Sequence, residues 1–340
     1  MSSPDLPGGP RTLSLRVAEI VPETEDAVTV VLDAPELTYA PGQFLTLQVP
    51  GGHARCYSLS SSPHTGELPR VTVKHVPGGT GSRWVCQELR AGDTVTALAP
   101  AGTFTPADLD TDLLLAAAGS GITPVLSIAA SVLTAGTGRV TLLYANRDER
   151  SVILRGALQE LAAAHPGRLT VLHWLESLQG LPAPAALGPL LAPYADRPAY
   201  LCGPAPFMDA AEAALRGAGA ATVHRERYFS LSGDVFTAPV PAASASAGTG
   251  PSSTAVVSLD GETHEVAWPE DTPLLDALLA AGVDAPFSCR EGACAACTCR
   301  IVTGDITLIR NEVLDEEDLK EGYALACQAL PRSERVSVEY

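Results

Sequence analysis

At 340 residues and 46% hydrophobic composition, the chain is too long for one ordinary core and suits two or three domains of roughly 100–150 residues each. A net charge of −17 argues against a nucleic-acid partner, because neutralising phosphates requires clustered Lys and Arg. No apolar run approaches the ~20 residues that cross a bilayer, so no membrane partner is expected.

Residues Met1–Pro10 are polar and rich in Pro and Gly, with no charged-then-apolar signal pattern; they are read as a disordered lead-in to a cytoplasmic protein. From residue 11 to about 108 the texture is that of short strands. Leu13, Leu15 and Val17 alternate with polar residues, Val28 and Val30 repeat the period of two, and Pro41-Gly42 marks a turn before Phe44, Leu45, Leu47 and Val49. Val71, Val73 and Val95 extend the pattern, predicting a small antiparallel β-barrel. Residues 109–237 change character. The apolar strand Leu113–Ala118 meets a Gly-rich turn and an Ala/Leu helical pattern. Further strands are expected over Val140–Tyr144, Leu169–His173 and Ala199–Cys202, with helical stretches between. Alternating strands and helices imply an α/β domain on a parallel sheet. Residues 238–254 (APVPAASASAGTGPSST) carry no charge and little to bury, the composition of a flexible linker. A third domain is expected over 255–340, with a strand at Val256–Leu259 and helical spacing of Leu274, Leu275, Leu278 and Leu279. It holds seventeen acidic and six basic residues, and so most of the net negative charge; such a surface can steer a chain toward a basic partner.

Five of the eight cysteines gather in that last domain. Cys289, Cys294 and Cys297 are spaced C-x4-C-x2-C, and Cys327 follows after 29 residues. Four thiolates suit a [2Fe–2S] cluster, two per iron, and the small residues of the loop leave backbone N–H groups free to approach the sulfurs. A structural zinc site would favour paired C-x2-C units or a His at ligand spacing, and neither is present. Cys299 is either a spectator or a competitor of Cys297 for the third position; the spacing favours Cys297. The run FSCREGACAACTCRIVTG, followed by Asn311, Asp318, Gly322 and LACQAL, resembles a plant-type ferredoxin domain. That resemblance implies a β-grasp fold, with Cys289, Cys294, Cys297 and Cys327 as the cluster ligands.

Arg55-Cys56-Tyr57-Ser58 resembles the R-x-Y-S signature of the ferredoxin–NADP reductase superfamily, with PGQF upstream and VTVKHV, which contains Lys74, downstream. The resemblance implies a flavin site. Arg55 can fork onto a phosphate, Tyr57 can pack on the isoalloxazine, and Ser58 can hydrogen-bond flavin N5. The Gly78-to-Ser82 run, with Gly81 and Ser82 leading into a helix expected over Arg83–Leu89, offers N–H donors to phosphate, and Lys74 is a further cofactor-binding candidate. RCYSLSSSP resembles the FAD-dependent reductases of 3-ketosteroid 9α-hydroxylase and phenylacetyl-CoA epoxidase, which favours FAD; the phthalate dioxygenase reductase relatives share the domain order but bind FMN.

Gly119-Ser120-Gly121-Ile122-Thr123-Pro124 follows a strand and opens a helix, so a pyrophosphate can approach its backbone, and Pro124 sits where no N–H is needed. The run matches the superfamily's G-x-G-x-x-P, which places Gly119, Gly121, Thr123 and Pro124 at NADH or NADPH. Leu201-Cys202-Gly203-Pro204 ends a strand where α/β ligands gather. By resemblance Cys202 and Gly203 lie beside the nicotinamide, and Glu226, in an E-x-aromatic run with Tyr228, contacts the reacting rings. Ser58, Cys202 and Glu226 are the implied catalytic residues. Arg147 and Arg155 could hold a 2′-phosphate or simply be solvated, so the choice of nucleotide stays open.

Together these resemblances imply an electron-transport flavoprotein that passes electrons from NAD(P)H through FAD and [2Fe–2S] to an oxygenase component, Rieske or di-iron, docking near the acidic ferredoxin domain. Two alternatives are a self-contained NAD(P)H oxidase and a non-catalytic redox module with degenerate sites. The intact motifs speak against the second.

Overall fold

Period-two alternation at the start of the chain folds into six strands: β1 (Thr12–Thr24), β2 (Ala27–Asp33), β3 (Phe44–Val49), β4 (His53–Ser58), β5 (Arg70–Lys74) and, after helix α1 (Thr80–Gln87), β6 (Thr94–Leu98). The computed structural model describes residues 12–228, 235–236, 252–259, 261–314 and 316–340. The expected lead-in over 1–10 and most of the expected linker lie outside them; residues 252–254, at the linker's end, already belong to a strand.

The six strands pair in the order β4-β3-β6-β1-β2-β5, and a bridge between Leu59 and Val71 closes the sheet into a barrel. Leu15, Val17, Val30, Leu32, Leu45, Leu47, Val71 and Val73 point inward and are fully or almost fully buried, each contributing about 1.5–3 kcal/mol of burial free energy. Helix α1 starts at Thr80, three residues before the expected Arg83, because Gly79 takes the extended N-cap conformation and the end of the Gly-rich run winds into the first turn.

The next segment alternates as expected. Strand β7 (Leu113–Ala118) is followed by a 3-10 turn (Gly119–Gly121) and α2 (Ile122–Ala135); then come β8 (Val140–Asn146), α3 (Arg155–Ala164), β9 (Leu169–Leu175), α4 (Glu176–Gln179), α5 (Pro184–Leu191), β10 (Ala199–Cys202), α6 (Ala205–Gly217) and β11 (Val223–Glu226). The five strands are all parallel, in the order β11-β10-β7-β8-β9. Every residue of β7 is buried, the signature of a strand covered on both faces by helices. Strands β8 and β9 each run two residues past the expected ends.

Barrel and parallel sheet fall within one compact unit, spanning residues 13–50 and 55–230. Two buried serines of α2 help to explain why. Ser127 Oγ donates to the Ser61 carbonyl at 2.6 Å, and Ser131 Oγ meets Ser62 Oγ at 2.8 Å. Glu23 of β1 adds a third tie: it accepts from Thr29 Oγ1 at 2.7 Å and from the Leu154 N–H at 3.1 Å.

The second unit consists chiefly of residues after 230. Its elements are β12 (Ser252–Leu259), β13 (Glu262–Pro269), α7 (Leu274–Ala280), β14 (Thr298–Thr303), β15 (Ile306–Leu308), α8 (Glu316–Lys320), β16 (Tyr323–Leu325), β17 (Ala329–Pro331) and β18 (Arg335–Glu339). A mixed sheet in the order β13-β12-β18-β14-β16 packs on α7, whose Leu274, Leu275 and Leu278 are fully buried beside Trp268. This is the expected β-grasp arrangement. Between α7 and β14 the chain has no regular structure, and that stretch carries three of the clustered cysteines.

Candidate functional site

In the first unit, Ser58 at the end of β4 is 3% exposed and lines a small cleft with Phe44, Cys56, Glu226, Arg227 and Tyr228. The cleft is therefore built from the barrel on one side and the end of β11 with the residues after it on the other. The Tyr228 hydroxyl is its node. It lies 2.8 Å from Thr123 Oγ1, donates to the Ser120 carbonyl at 3.2 Å, and reaches the side chains of Ser58 and Cys202. One phenol thus joins the R-x-Y-S strand, the Gly-rich turn and the end of β10. The residue is 44% exposed although its hydroxyl is held on several sides.

Cys202 is fully buried, and burial, followed by the neighbouring Glu226 carboxyl, holds its thiol well above the ordinary range. Glu226 pairs with Cys202 across the parallel strands β11 and β10. Burial pushes its carboxyl up to about 8, so it is chiefly protonated at neutral pH. Thr123 Oγ1 also donates to the Ser120 carbonyl at 3.1 Å. Pro124 is buried in the first turn of α2, whose N-cap, Gly121, supplies no side-chain cap. Of its first-turn residues, Ile122 spends its N–H on the Gly119 and Ser120 carbonyls, and Pro124 has none to offer. Gly121 itself admits no side chain: a Cβ there would stand 2.1 Å from the Cys202 carbonyl oxygen and 2.7 Å from the Gly203 nitrogen. Gly203, with φ 155°, completes this close approach of two strand ends, since a Cβ there would meet Ala118 Cβ at 3.0 Å.

Gly81 plays the matching part at α1. A Cβ there would meet Arg55 Cγ at 2.9 Å and the Tyr57 hydroxyl at 3.2 Å, so the bare backbone faces the two R-x-Y-S side chains expected at the flavin. Burial raises the Tyr57 phenol well above its usual range, which keeps it neutral. The Ser82 hydroxyl is committed locally, accepting from the Val76 N–H at 3.1 Å and donating to the Gly79 carbonyl at 3.3 Å. Lys74 Nζ pairs with Asp26 at 3.7 Å and lies 3.9 Å from where a Cβ of Gly119 would be. Arg147 shares Asp26 at 3.2 Å.

In the second unit Cys289, Cys294, Cys297 and Cys327 are 1–5% exposed. Their sulfurs form one network, in which Cys289 contacts Cys294 and Cys327, and Cys327 contacts Cys297. The Glu291 and Ala293 N–H groups donate to Cys289 Sγ at 3.3 and 3.4 Å, and the Cys289 N–H donates to Cys294 Sγ at 3.3 Å. Donation from the Cys294 and Cys327 side chains, and then from these backbone groups, draws the Cys289 thiol far below its ordinary range. Arg290 and Ala295 adopt left-handed conformations, φ 56° and 54°, which non-glycine residues reach only at a cost. The surroundings hold them there: Arg290 is salt-bridged to Asp276, and Gln328 Nε2 donates to the Arg290 carbonyl at 3.0 Å and to Cys327 Sγ at 3.5 Å. Among the described residues no three His, Cys, Asp or Glu side chains gather as for a single ion, whereas a [2Fe–2S] cluster needs two sulfurs at each of two irons.

Comparison with known proteins follows the same division. Residues 14–105 match the oxidoreductase FAD-binding domain family, 115–213 the oxidoreductase NAD-binding domain family, and 257–332 the 2Fe-2S iron-sulfur cluster binding domain family. The ferredoxin reductase component of 3-ketosteroid-9-alpha-monooxygenase from Mycolicibacterium smegmatis is 53% identical over 99% of this chain and 99% of its own. The chain belongs to this reductase family. A component of the 1,2-phenylacetyl-CoA epoxidase from Escherichia coli is 36% identical over 96% of this chain and 97% of its own. The solved structure of phthalate dioxygenase reductase, 24% identical, shares the fold over 97% of this chain and 98% of its own, with a TM-score of 0.57.

As in its family, this reductase carries FAD-binding, NAD-binding and [2Fe–2S] domains, and its own residues fit those groups. Gly81 lets the start of α1 pack against Arg55 and Tyr57, Gly121 lets the start of α2 pack against the end of β10, and N–H groups already point at the cysteine sulfurs. Among the described residues no helix is long and apolar enough to cross a membrane. Three features carry no signal in the sequence that marks them as functional. Tyr228 enters only as the aromatic of a short run, and its role as a hydrogen-bond hub could not be inferred. Asn146, 4% exposed at the end of β8, lies near the Tyr144 hydroxyl, but neither of its amide atoms has a partner at hydrogen-bond geometry among the described residues; a lone Asn has no pattern to betray it. Tyr340 is the third.

Proposed function

We propose that this chain is the reductase component of a multicomponent oxygenase, passing electrons from NAD(P)H to a partner protein. The observation that carries this reading is the convergence of Ser58, Thr123 and Cys202 on the Tyr228 hydroxyl, in a chain whose second unit holds a four-thiol network. FAD, when bound, supplies the conversion of a two-electron hydride into the single electrons that a [2Fe–2S] cluster accepts.

The chain's own residues then divide the work. Arg55 and the N–H groups at the start of α1 hold the flavin's phosphates, and Tyr57 packs along the ring. Ser58 presents its hydroxyl to flavin N5. The turn at Gly119 and Gly121, with Thr123, Pro124 and Lys74, receives the dinucleotide pyrophosphate. Cys202 and Gly203 bound the nicotinamide, with Glu226, protonated and so a hydrogen-bond donor at neutral pH, beside them. Ser82 acts by fixing the approach to α1. Cys289, Cys294, Cys297 and Cys327 are the cluster ligands.

The partner is an oxygenase component of the Rieske or di-iron type, and both proteins work in the cytoplasm. Its docking surface lies on the acidic last domain, where opposite charge on the partner speeds encounter. The relatives named for 3-ketosteroid-9-alpha-monooxygenase favour a steroid-directed oxygenase as the final consumer of the electrons.

Anaerobic addition of NADH, and separately NADPH, to the iron-loaded protein should bleach the flavin first and the iron–sulfur absorption second. Rapid reoxidation should then require an added oxygenase component. Iron that never reduces, or turnover with oxygen alone at the full rate, overturns the reading.

A further inference from the structure

Tyr340 follows β18, and its backbone continues the ladder: its N–H donates to the Ser258 carbonyl at 3.0 Å. In the antiparallel pairing of β14 with β18, Arg300 stands opposite Glu339. One residue further along, Cys299 therefore stands opposite Tyr340, with Ala324 of β16 on its other side. Cys299 is 2% exposed and faces the core, so the residue across from it turns its ring the same way. The ring packs on the core that contains Cys297, Cys299 and Cys327.

What the ring carries at its tip is the informative part. The Tyr340 hydroxyl is buried, and it has no hydrogen-bond partner among the described residues. After burial, the charges that act on it are those of the Cys299, Cys297 and Cys327 sulfurs, none of which is at hydrogen-bond geometry. A buried phenol normally finds an acceptor, because leaving it unpaired forfeits its hydration without compensation. A Phe would fill the same space at no such cost. The missing acceptor therefore belongs to the side on which the thiols lie.

We propose that the Tyr340 hydroxyl donates a hydrogen bond to the sulfurs of the [2Fe–2S] group and raises its reduction potential, with the Cys299 thiol packed beside it as a non-ligand. The inference rests on the reading of Cys289, Cys294, Cys297 and Cys327 as cluster ligands. Its physical basis is that the reduced cluster carries one more negative charge than the oxidised one. A donor aimed at the sulfurs stabilises the reduced form more, and hydrogen bonds to sulfur are among the levers that set these potentials. Tyr340 would add to the donation already made by the backbone N–H groups of the loop, from the opposite wall of the core.

The test is an anaerobic spectroelectrochemical titration of the full-length, iron-loaded protein and of Y340F, read at the cluster absorption and by the electron paramagnetic resonance of the reduced cluster. At the wild-type midpoint, Y340F should hold at least about threefold less reduced relative to oxidised cluster; a tenfold change would correspond to 59 mV for a one-electron couple. Iron content and the flavin potential should not move. Y340F that keeps its iron and shifts the ratio by less than threefold overturns the inference. If Y340F loses iron, 3,5-difluorotyrosine at 340, which keeps the hydroxyl and strengthens it as a donor, decides: a raised cluster potential supports the proposal and an unmoved or lowered one overturns it. Wild-type protein that binds no iron sinks the ligand reading itself, a result distinct from either.

Discussion

The cysteine loop and the nucleotide–flavin cleft solve the problem of holding a reactive group in opposite ways. Three of the four thiols in the loop lie within nine consecutive residues, and left-handed turns at Arg290 and Ala295 aim them. The cleft instead is built around the Tyr228 hydroxyl, which gathers Ser58 from the barrel, Thr123 from the start of α2 and Cys202 from β10. A soft, covalently held group needs a fixed set of ligands, and a short loop provides it. A dinucleotide that must enter and leave needs a surface whose parts are set by the whole fold. The first kind of site therefore fails one ligand at a time, and the second fails through the backbone.

Cys294→Ser should break the contrast on the loop side most completely. Iron and acid-labile sulfide are expected to fall to near zero, while flavin reduction by NADH persists at the wild-type rate; normal iron content would remove Cys294 from the ligand set. On the cleft side, Gly121→Ala forces apart two strand ends that now leave no space for a methyl group. Flavin reduction in a stopped-flow experiment should slow on the order of 100-fold, with flavin and iron both retained. An unchanged rate would mean that the nucleotide does not use this turn.

Glu226→Gln sharpens the account of the cleft through pH. The carboxyl ionises near 8 in the folded chain, against an ordinary 4.5. Between those values the native state keeps a proton that the unfolded chain releases, so stability is fully present below the lower value and declines as pH rises through the upper one. In Glu226→Gln that decline should flatten, as read from urea midpoints between about pH 5 and 9. A wild-type midpoint that rises over this range would contradict the burial of Glu226. Cys299→Ala is expected to have the smallest effect, leaving iron content at the wild-type level, since Cys299 lies on a strand outside the four-sulfur network. Loss of iron there would transfer the third ligand from Cys297 to Cys299.

The same contrast governs what could be read from the chain alone. The cysteine spacing, the R-x-Y-S strand and the Gly-rich turn are contiguous, and each was legible together with the element that carries it. The alternation of apolar strands with helical stretches announced the parallel sheet, and the period of two announced the barrel. Tyr228 and Asn146 were not legible as site residues, because what marks them is a hydrogen bond made, or left unmade, across more than a hundred residues of chain or at a strand end. Ser82 was placed in the right turn, but its hydroxyl turned out to be spent on the loop itself, a competition between local backbone and ligand that sequence pattern does not resolve. Tyr340 reads as ordinary core packing until its unpaired hydroxyl is seen.

Ser127 and Ser131 of α2 fasten that helix to the barrel residues Ser61 and Ser62, and α2 begins at the turn expected to receive the dinucleotide. A hydroxyl staple in the middle of a helix thus keeps the seats for the two redox partners at a constant spacing before either arrives. Association then forfeits little free energy in drawing them together, and the gap across which charge must jump is inherited from folding rather than rebuilt on each catalytic cycle.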